Sequence, residues 1–372
     1  MRSVREAVER LCARFDDAYW LRADREHRFP QEFHAAIAAE GWLGICMPEA
    51  VGGAGLGVTE AAVMMGVIAG SGAGMSGASA VHMNIFGPMP VVVFGTEEQQ
   101  RRMLPPLMAG TERACFAVTE PDAGLDTTRL KTFAERRGDR YVVTGRKMWI
   151  STAGVAERMM LLARTTPLDK VRKRTEGLTL FYTALDRARV EVREIPKMGR
   201  HAVDSNALFI DGLEVPEEDR IGEEGRGFEY ILHGLNPERV LVAAEAVGIG
   251  HAAITRAARY AGERVVFGRE IGRNQGIAHP LAACWMRLQA AWRYDSGLDC
   301  GAEANAAKWL AGEAGFDAAQ TAVMTLGGYG YAQEFPVERL LRESFIPRIA
   351  PVSPHMVLNY VAERVLGLPR SY

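Results

Sequence analysis

Two short stretches of this chain hold residues whose types and spacing could do chemistry. The first is Phe116-Ala-Val-Thr-Glu-Pro-Asp-Ala-Gly124, followed by Gly145-Arg-Lys-Met-Trp-Ile-Ser151. The apolar run Cys115 to Val118 reads as a strand, and Pro121 and Gly124 then force a turn. A turn rich in N–H groups after a strand can hold a carbonyl or a phosphate. Trp149 follows a second strand, Tyr141 to Val143, and sits between Met148 and Ile150. Two hairpins around a packing tryptophan would also account for each residue singly, because buried aromatics usually pack. The second stretch is Asn236-Pro-Glu-Arg239. Read structurally, Asn236 is an N-cap, Pro237 the first helical residue and Glu238 a first-turn acid favoured by the helix dipole. Read chemically, Glu238 is a general base. A base has its pKa raised by desolvation, whereas a capping acid does not.

The elements that must position these residues change in texture along the chain. Val4, Val8, Leu11 and Phe15 recur at helical spacing, and Gln31 to Trp42 and Val58 to Ile68 also read as helices. Glu97 to Met108 is a short helix expected to be interrupted near Pro105-Pro106. From about Arg113 the pattern turns to strands: Cys115–Val118, Tyr141–Val143, Met159–Ala163, Gly177–Phe181, Val190–Arg193 and Ala207–Ile210. From Phe228 it is helical again, with a long stretch from Pro237 to about Arg264. The expectation is an α+β chain, mostly α, divided as residues 1–112, 113–218 and 219–372.

At 372 residues, with 48% hydrophobic and 24% charged residues and a net charge of −2, the chain can hold two or three cores and carries no basic excess for nucleic acid. Cys12, Cys46, Cys115, Cys284 and Cys300 lack CxxC spacing and read as reduced thiols of a cytoplasmic protein. The N-terminus has no signal-peptide pattern. No apolar run is expected to span a bilayer.

The chain resembles the acyl-CoA dehydrogenase family essentially end to end. Beyond the two stretches above, Asp211-Gly-Leu-Glu-Val-Pro216, Gly222 to Phe228, Glu263 to Arg269, Asn274-Gln275, Gly327-Gly-Tyr-Gly330 and Pro336-Val-Glu-Arg339 carry the likeness in order. The resemblance implies a helical N-terminal domain, a small central β-barrel and a C-terminal four-helix bundle. It implies FAD: backbone groups at Phe116, Val118 and Thr119 and the Ser151 hydroxyl hydrogen-bond the isoalloxazine, and Trp149 stacks beside it. Arg264 and Phe267 of a neighbouring subunit hold the adenine half, while Gln275, Gly327 and Gly328 line the pyrophosphate end. The cofactor then sits between subunits of a homotetramer or homodimer.

For substrate, the resemblance implies an acyl thioester on coenzyme A or an acyl carrier protein, with an electron-transfer flavoprotein as acceptor. Many members place the catalytic glutamate in a C-terminal turn; here that turn is Ala350-Pro351-Val352-Ser353 and has none. A minority, resembling the isovaleryl and long-chain enzymes, place it where Glu238 stands. Arg239 orders its neighbourhood, and Arg239, Asn236, Leu125 and His82 are the implied substrate-binding residues. His82 lies near the floor of the acyl pocket, where Gly72, Gly74, Gly77 and Ala78 are expected to leave room for a bulky acyl chain; a packing histidine is the alternative. Leu125 replaces a serine that contacts substrate, and Met324 replaces a glutamine at the cofactor. The helix between His279 and Trp292 is short by about 10 residues, two turns or more. Pro351 removes an N–H from the thioester oxygen site. Two alternatives remain: a flavin monooxygenase on the same fold, and a non-catalytic homologue that binds an acyl thioester or a protein partner.

Overall fold

The computed structural model describes residues 2–274, 276–278, 280–281, 284 and 302–357. Seven helices come first: α1 (Arg2–Cys12), α2 (Asp17–Arg25), α3 (Gln31–Ala39), α4 (Val58–Ile68), α5 (Gly74–Phe86), α6 (Met89–Phe94) and α7 (Glu97–Met108). Val4, Val8, Leu11 and Cys12 form the buried stripe of α1, as their spacing predicts. Asp16 caps α2 by accepting the Tyr19 N–H at 2.8 Å. Thr96 and Gln99 cap α7 reciprocally, at 3.2 and 2.9 Å. Contrary to expectation, α7 continues through Pro105 and Pro106. The carbonyls these prolines leave unbonded belong to Arg101 and Arg102, both exposed. Helix α5 is buried along its whole length and is the axis of the N-terminal layer.

Eight strands form the central sheet: β1 (Ala114–Ala117), β2 (Phe133–Arg137), β3 (Arg140–Ser151), β4 (Arg158–Arg164), β5 (Leu178–Ala184), β6 (Val190–Glu194), β7 (Ser205–Pro216) and β8 (Arg220–Ile221). Their order is β6-β7-β3-β2-β4-β5-β8, and β1 joins β4 in parallel. A two-stranded hairpin, β9 (Val265–Val266) and β10 (Arg269–Glu270), follows later in the chain.

Helix α8 (Gly227–Glu263) runs for 37 residues and packs against α4, α5, α9 (Ala302–Leu326) and α10 (Pro336–Ile349). Its crossing with α4 requires glycine: a Cβ on Gly248 would lie 2.4 Å from the Gly66 carbonyl oxygen. The helix starts ten residues before the expected Pro237 and passes through it. The carbonyl that loses its partner belongs to His233, an exposed residue open to water.

Phe116 packs against both the helical core and one core of the sheet, so the strand carrying the first sequence motif lies at their junction. Two stretches, Val58–Phe94 and Gly227–Glu263, are long and apolar enough to cross a membrane by length and composition, against the expectation of none. In each, 72% of the most apolar window is buried inside the fold, which accounts for the hydropathy.

Candidate active site

The turn after β1 is built on a buried charge. Lys147 on β3 donates to Glu120 Oε1 (2.9 Å), the Val118 carbonyl (3.1 Å) and the Leu162 carbonyl (2.7 Å). Glu120 also accepts the backbone N–H groups of Lys131 (2.7 Å) and Thr132 (3.0 Å). Burial lowers the Lys147 pKa to about 8, with the neighbouring carboxylate opposing the shift. The Thr119 carbonyl accepts the Met148 N–H at 2.9 Å. With the carbonyls of Val118 and Thr119 bonded, this turn has its N–H edge and the Thr119 hydroxyl to present.

On the facing segment, the register of β3 against β7 shifts between Lys147 and Ile150. Trp149 lies in that bulge at φ 61, in the left-handed region, with 56% of its surface exposed. A large aromatic in a left-handed conformation is costly unless the surroundings impose it. The bulge turns the indole out of the core and makes it a platform.

Ser151, two residues on, is held by Arg200. This guanidinium donates to Ser79 Oγ on α5 (3.0 Å), Ser151 Oγ (2.9 Å) and Ser205 Oγ on β7 (2.9 Å). Arg200 is buried, its pKa is lowered by that burial, and its Nε has no hydrogen-bond partner. Glu120, Lys147 and Arg200 were all missed in the sequence. A lysine inside an apolar strand was a readable signal for Lys147. Arg200 left none, because its three partners come from segments far apart in the chain.

On the other side of the junction lies the Glu238 cluster. Glu238 stands in the twelfth position of α8, so Asn236 is not an N-cap and Glu238 not a first-turn acid. Asn236 Oδ1 instead accepts Arg239 Nη1 at 2.7 Å. Burial pushes the Glu238 pKa up to about 7; the charges of His82 and Arg239 oppose the shift and Glu245 adds to it. The residue as a whole is half-buried. His82 on α5 meets Glu245 on α8, Nδ1 to Oε1, at 3.1 Å. Its ring lies edge-on to Phe86 at 5.3 Å, and Phe86 to Phe116 at 5.2 Å.

The expected room beside Gly72, Gly74 and Gly77 is already filled. A Cβ at Gly72 would strike Arg256 and Asp17, one at Gly74 Glu343, and one at Gly77 the Ala73 side chain and Trp20. These glycines admit neighbouring side chains rather than an acyl group. Leu125 is exposed on a surface turn, and Met324 is exposed. The Ala350–Pro351 bond is cis, and buried Lys308 donates to the carbonyls of Val352 and Arg348 beside it.

Farther along, Arg264 at the end of α8 lies 5.9 Å over the Tyr329 ring. Both line an open cleft of about 520 Å³ with Gly327 and Gly328. Phe267, at φ 53, caps the β9–β10 hairpin with a fully exposed ring. Gln275 and the shortened segment at 283–292 lie outside the described residues, Cys284 excepted.

An isoalloxazine needs a planar face and hydrogen-bond donors, and a dinucleotide tail needs a glycine-lined, cationic cleft. The outward Trp149, the N–H edge of the 118–119 turn and the Arg264–Gly328 cleft match those needs, so the residues present fit FAD.

Known proteins are similar to this chain along its length. Family models described as the N-terminal, middle and C-terminal domains of acyl-CoA dehydrogenase match residues 1–111, 115–213 and 225–366. An acyl-CoA dehydrogenase of Mycobacterium tuberculosis, FadE12, is 34% identical over 384 residues, covering 100% of this chain and 97% of the relative. The structure of butyryl-CoA dehydrogenase from Megasphaera elsdenii superposes with a TM-score of 0.90 at 27% identity and covers 98% of each chain. A prolyl acyl carrier protein oxidase superposes with a TM-score of 0.89 at 27% identity, again covering 98% of each. With three domains matched in family order and a relative aligned along the whole chain, this protein belongs to the acyl-CoA dehydrogenase family, a family of flavoprotein oxidoreductases.

Proposed function

We propose that this protein catalyses FAD-dependent α,β-dehydrogenation of an acyl thioester to the trans-2-enoyl thioester, with the acyl group on coenzyme A or on a carrier protein. The observation that carries this reading is Glu238, a half-buried acid midway along α8, beside His82 and Arg239, whose pKa is pushed up to about 7 by burial. Its pKa is matched to taking a proton at neutral pH. Glu238 removes the proton α to the thioester carbonyl. When bound, FAD supplies the two-electron acceptor for the hydride leaving the β-carbon. Trp149, turned outward by the bulge, would back the ring. Arg200 donates to Ser151 Oγ and so leaves the Ser151 hydroxyl proton free to point at the ring. Arg239, tethered by Asn236, adds positive charge that partly offsets the burial of Glu238.

Leu125, exposed on its turn, stands where the resemblance puts a contact to the thioester carrier. The exposed Phe267 hairpin supports a second copy of the chain completing the adenine site, in a homodimer or homotetramer. An electron-transfer flavoprotein approaching the exposed Trp149 edge is the proposed acceptor.

The test is anaerobic titration of the purified, flavin-loaded protein with straight and branched acyl-CoAs. Wild type is expected to lose its visible flavin absorbance with at least one of them. Glu238→Gln is expected to keep the flavin and to bleach at least about 10²-fold more slowly; bleaching at the wild-type rate would falsify the assignment.

A further inference from the structure

Glu245 is a buried acid whose hydrogen bonding is incomplete. It is fully buried on α8, Oε1 meets His82 Nδ1 at 3.1 Å, and Oε2 has no hydrogen-bond partner. A buried acceptor left without a donor costs about 1–3 kcal/mol, and native structures rarely keep one without a use. Its neighbours on the helix, Ala244, Ala246 and Val247, give no donor, and the buried Arg200 guanidinium, near enough to feel its charge, hydrogen-bonds three serine hydroxyls instead.

Its position relates it to the base. Glu245 follows Glu238 by seven residues, so both project from one face of α8, about 10 Å apart along the axis. Opposite them on α5, the edge-on series His82, Phe86 and Phe116 runs back to the strand that enters the 116–124 turn. The base, an aromatic wall and a polar end therefore lie in sequence between α5 and α8. The His82 tautomer with a proton on Nδ1 donates to Oε1, which leaves Oε2 asking for a second donor.

We propose that the Glu245–His82 pair binds a hydroxyl group carried by the acyl chain, several bonds beyond the carbons that are oxidised. This inference rests on the dehydrogenase reading above and names its substrate class, a hydroxylated acyl thioester. A hydroxyl donates to Glu245 Oε2. A carboxylate-ended chain has no donor for Oε2 and is repelled by the Glu245 carboxylate. A hydrocarbon end leaves Oε2 unpaired. An ammonium would also supply a donor, so the ω-amino form is tested beside the hydroxyl.

The experiment separates this inference from the reading it rests on. Flavin bleaching by acyl-CoAs in wild type tests the reaction. Binding is then measured by calorimetry in flavin-loaded Glu238→Gln, in which dehydrogenation is slowed at least about 10²-fold. The probes are butanoyl-, hexanoyl- and octanoyl-CoA, each paired with its ω-hydroxy and ω-amino form. At one chain length the ω-hydroxyacyl-CoA is expected to bind at least about tenfold tighter than the plain one, the range expected for satisfying one buried acceptor. Adding Glu245→Gln, or separately His82→Gln, is expected to collapse that ratio towards one. A ratio is insensitive to a general loss of folded protein, and two variants guard against one failing to fold.

Bleaching by plain acyl-CoAs with a hydroxyl ratio near one at every length overturns the inference and leaves the dehydrogenase standing. So does a hydroxyl preference that survives both variants. A preference for the ω-amino form overturns the choice of hydroxyl. Failure of every acyl-CoA to bleach the flavin overturns the reaction, and the inference with it.

Discussion

Two buried acid–base pairs flank the junction between sheet and helices, and they are built in opposite ways. Lys147 and Glu120 leave nothing unmet: the ammonium has three acceptors and the carboxylate two further backbone donors. His82 and Glu245 make one contact, and one carboxylate oxygen has no hydrogen bond. Low polarity strengthens satisfied bonds and penalises missing ones by the same physics. The sheet side is therefore a finished frame, while the helical side, with Glu238 raised to about 7 close by, is poised to change partners.

The largest expected effect tests the helical side. Glu238→Gln should lower the rate of α-proton abstraction by about 10²- to 10⁴-fold, the usual contribution of a positioned acid or base. Stopped-flow flavin reduction reads it, and retained flavin shows that the frame is intact. The frame itself breaks with Lys147→Met. Removing one partner of a buried pair costs about 3–5 kcal/mol, since Glu120 is left charged and enclosed. Denaturant unfolding should show that loss, and flavin should be released at lower denaturant. If Lys147→Met is as stable as wild type, the distinction between frame and reaction side is wrong.

How much of this contrast the sequence discloses follows from how local each signal is. The α1 stripe and six of the sheet strands carry their periodicity in consecutive residues, and they form where expected. Strand β2 was passed over because Glu135, Arg136 and Arg137 face solvent and only Ala134 is buried; its pairing with β3 supplies what its composition lacks. Asn236-Pro-Glu has the local grammar of a helix start, yet packing against α5 and α6 carries α8 straight through it. The glycines of 72–77 looked like empty space, but whether a missing Cβ leaves a hole depends on side chains such as Trp20 and Arg256, distant in sequence. Arg200 and Glu245 were invisible for the same reason. The motif residues Trp149 and Ser151 were legible only as a resemblance; the bulge and left-handed backbone that turn the indole outward are properties of the β3–β7 register.

The pH dependence sharpens the contrast from the helical side. Glu238 works as a carboxylate, so flavin reduction should fall as pH drops through about 7. Stability should run the other way. With a folded pKa of about 7 against a model value of 4.5, the folded state keeps a proton that the unfolded state has released between those values. Stability therefore falls as pH rises across that window. Glu238→Gln removes this slope. The variant should gain roughly 1–3 kcal/mol over wild type between pH 5 and pH 8, read as a widening gap in melting temperature.

The smallest effect belongs to a buried charge on the sheet side that is not paired like Lys147. Arg200 is held by three hydroxyls rather than by a carboxylate contact, and one of them is Ser151. A cation so placed favours the added negative charge of a reduced flavin beside Ser151, and hydroxyl ligands screen it less than a bound carboxylate would. Arg200→Met should therefore make the flavin harder to reduce, by about tenfold in the two-electron equilibrium, or about 30 mV. Spectroelectrochemical titration measures this without any substrate. Arg200→Lys keeps the charge but loses the fork that spans three hydroxyls, so it should restore most of the potential while weakening flavin retention. An unchanged potential in Arg200→Met would make Arg200 part of the frame alone, a second Lys147 whose removal is felt in stability and nowhere else.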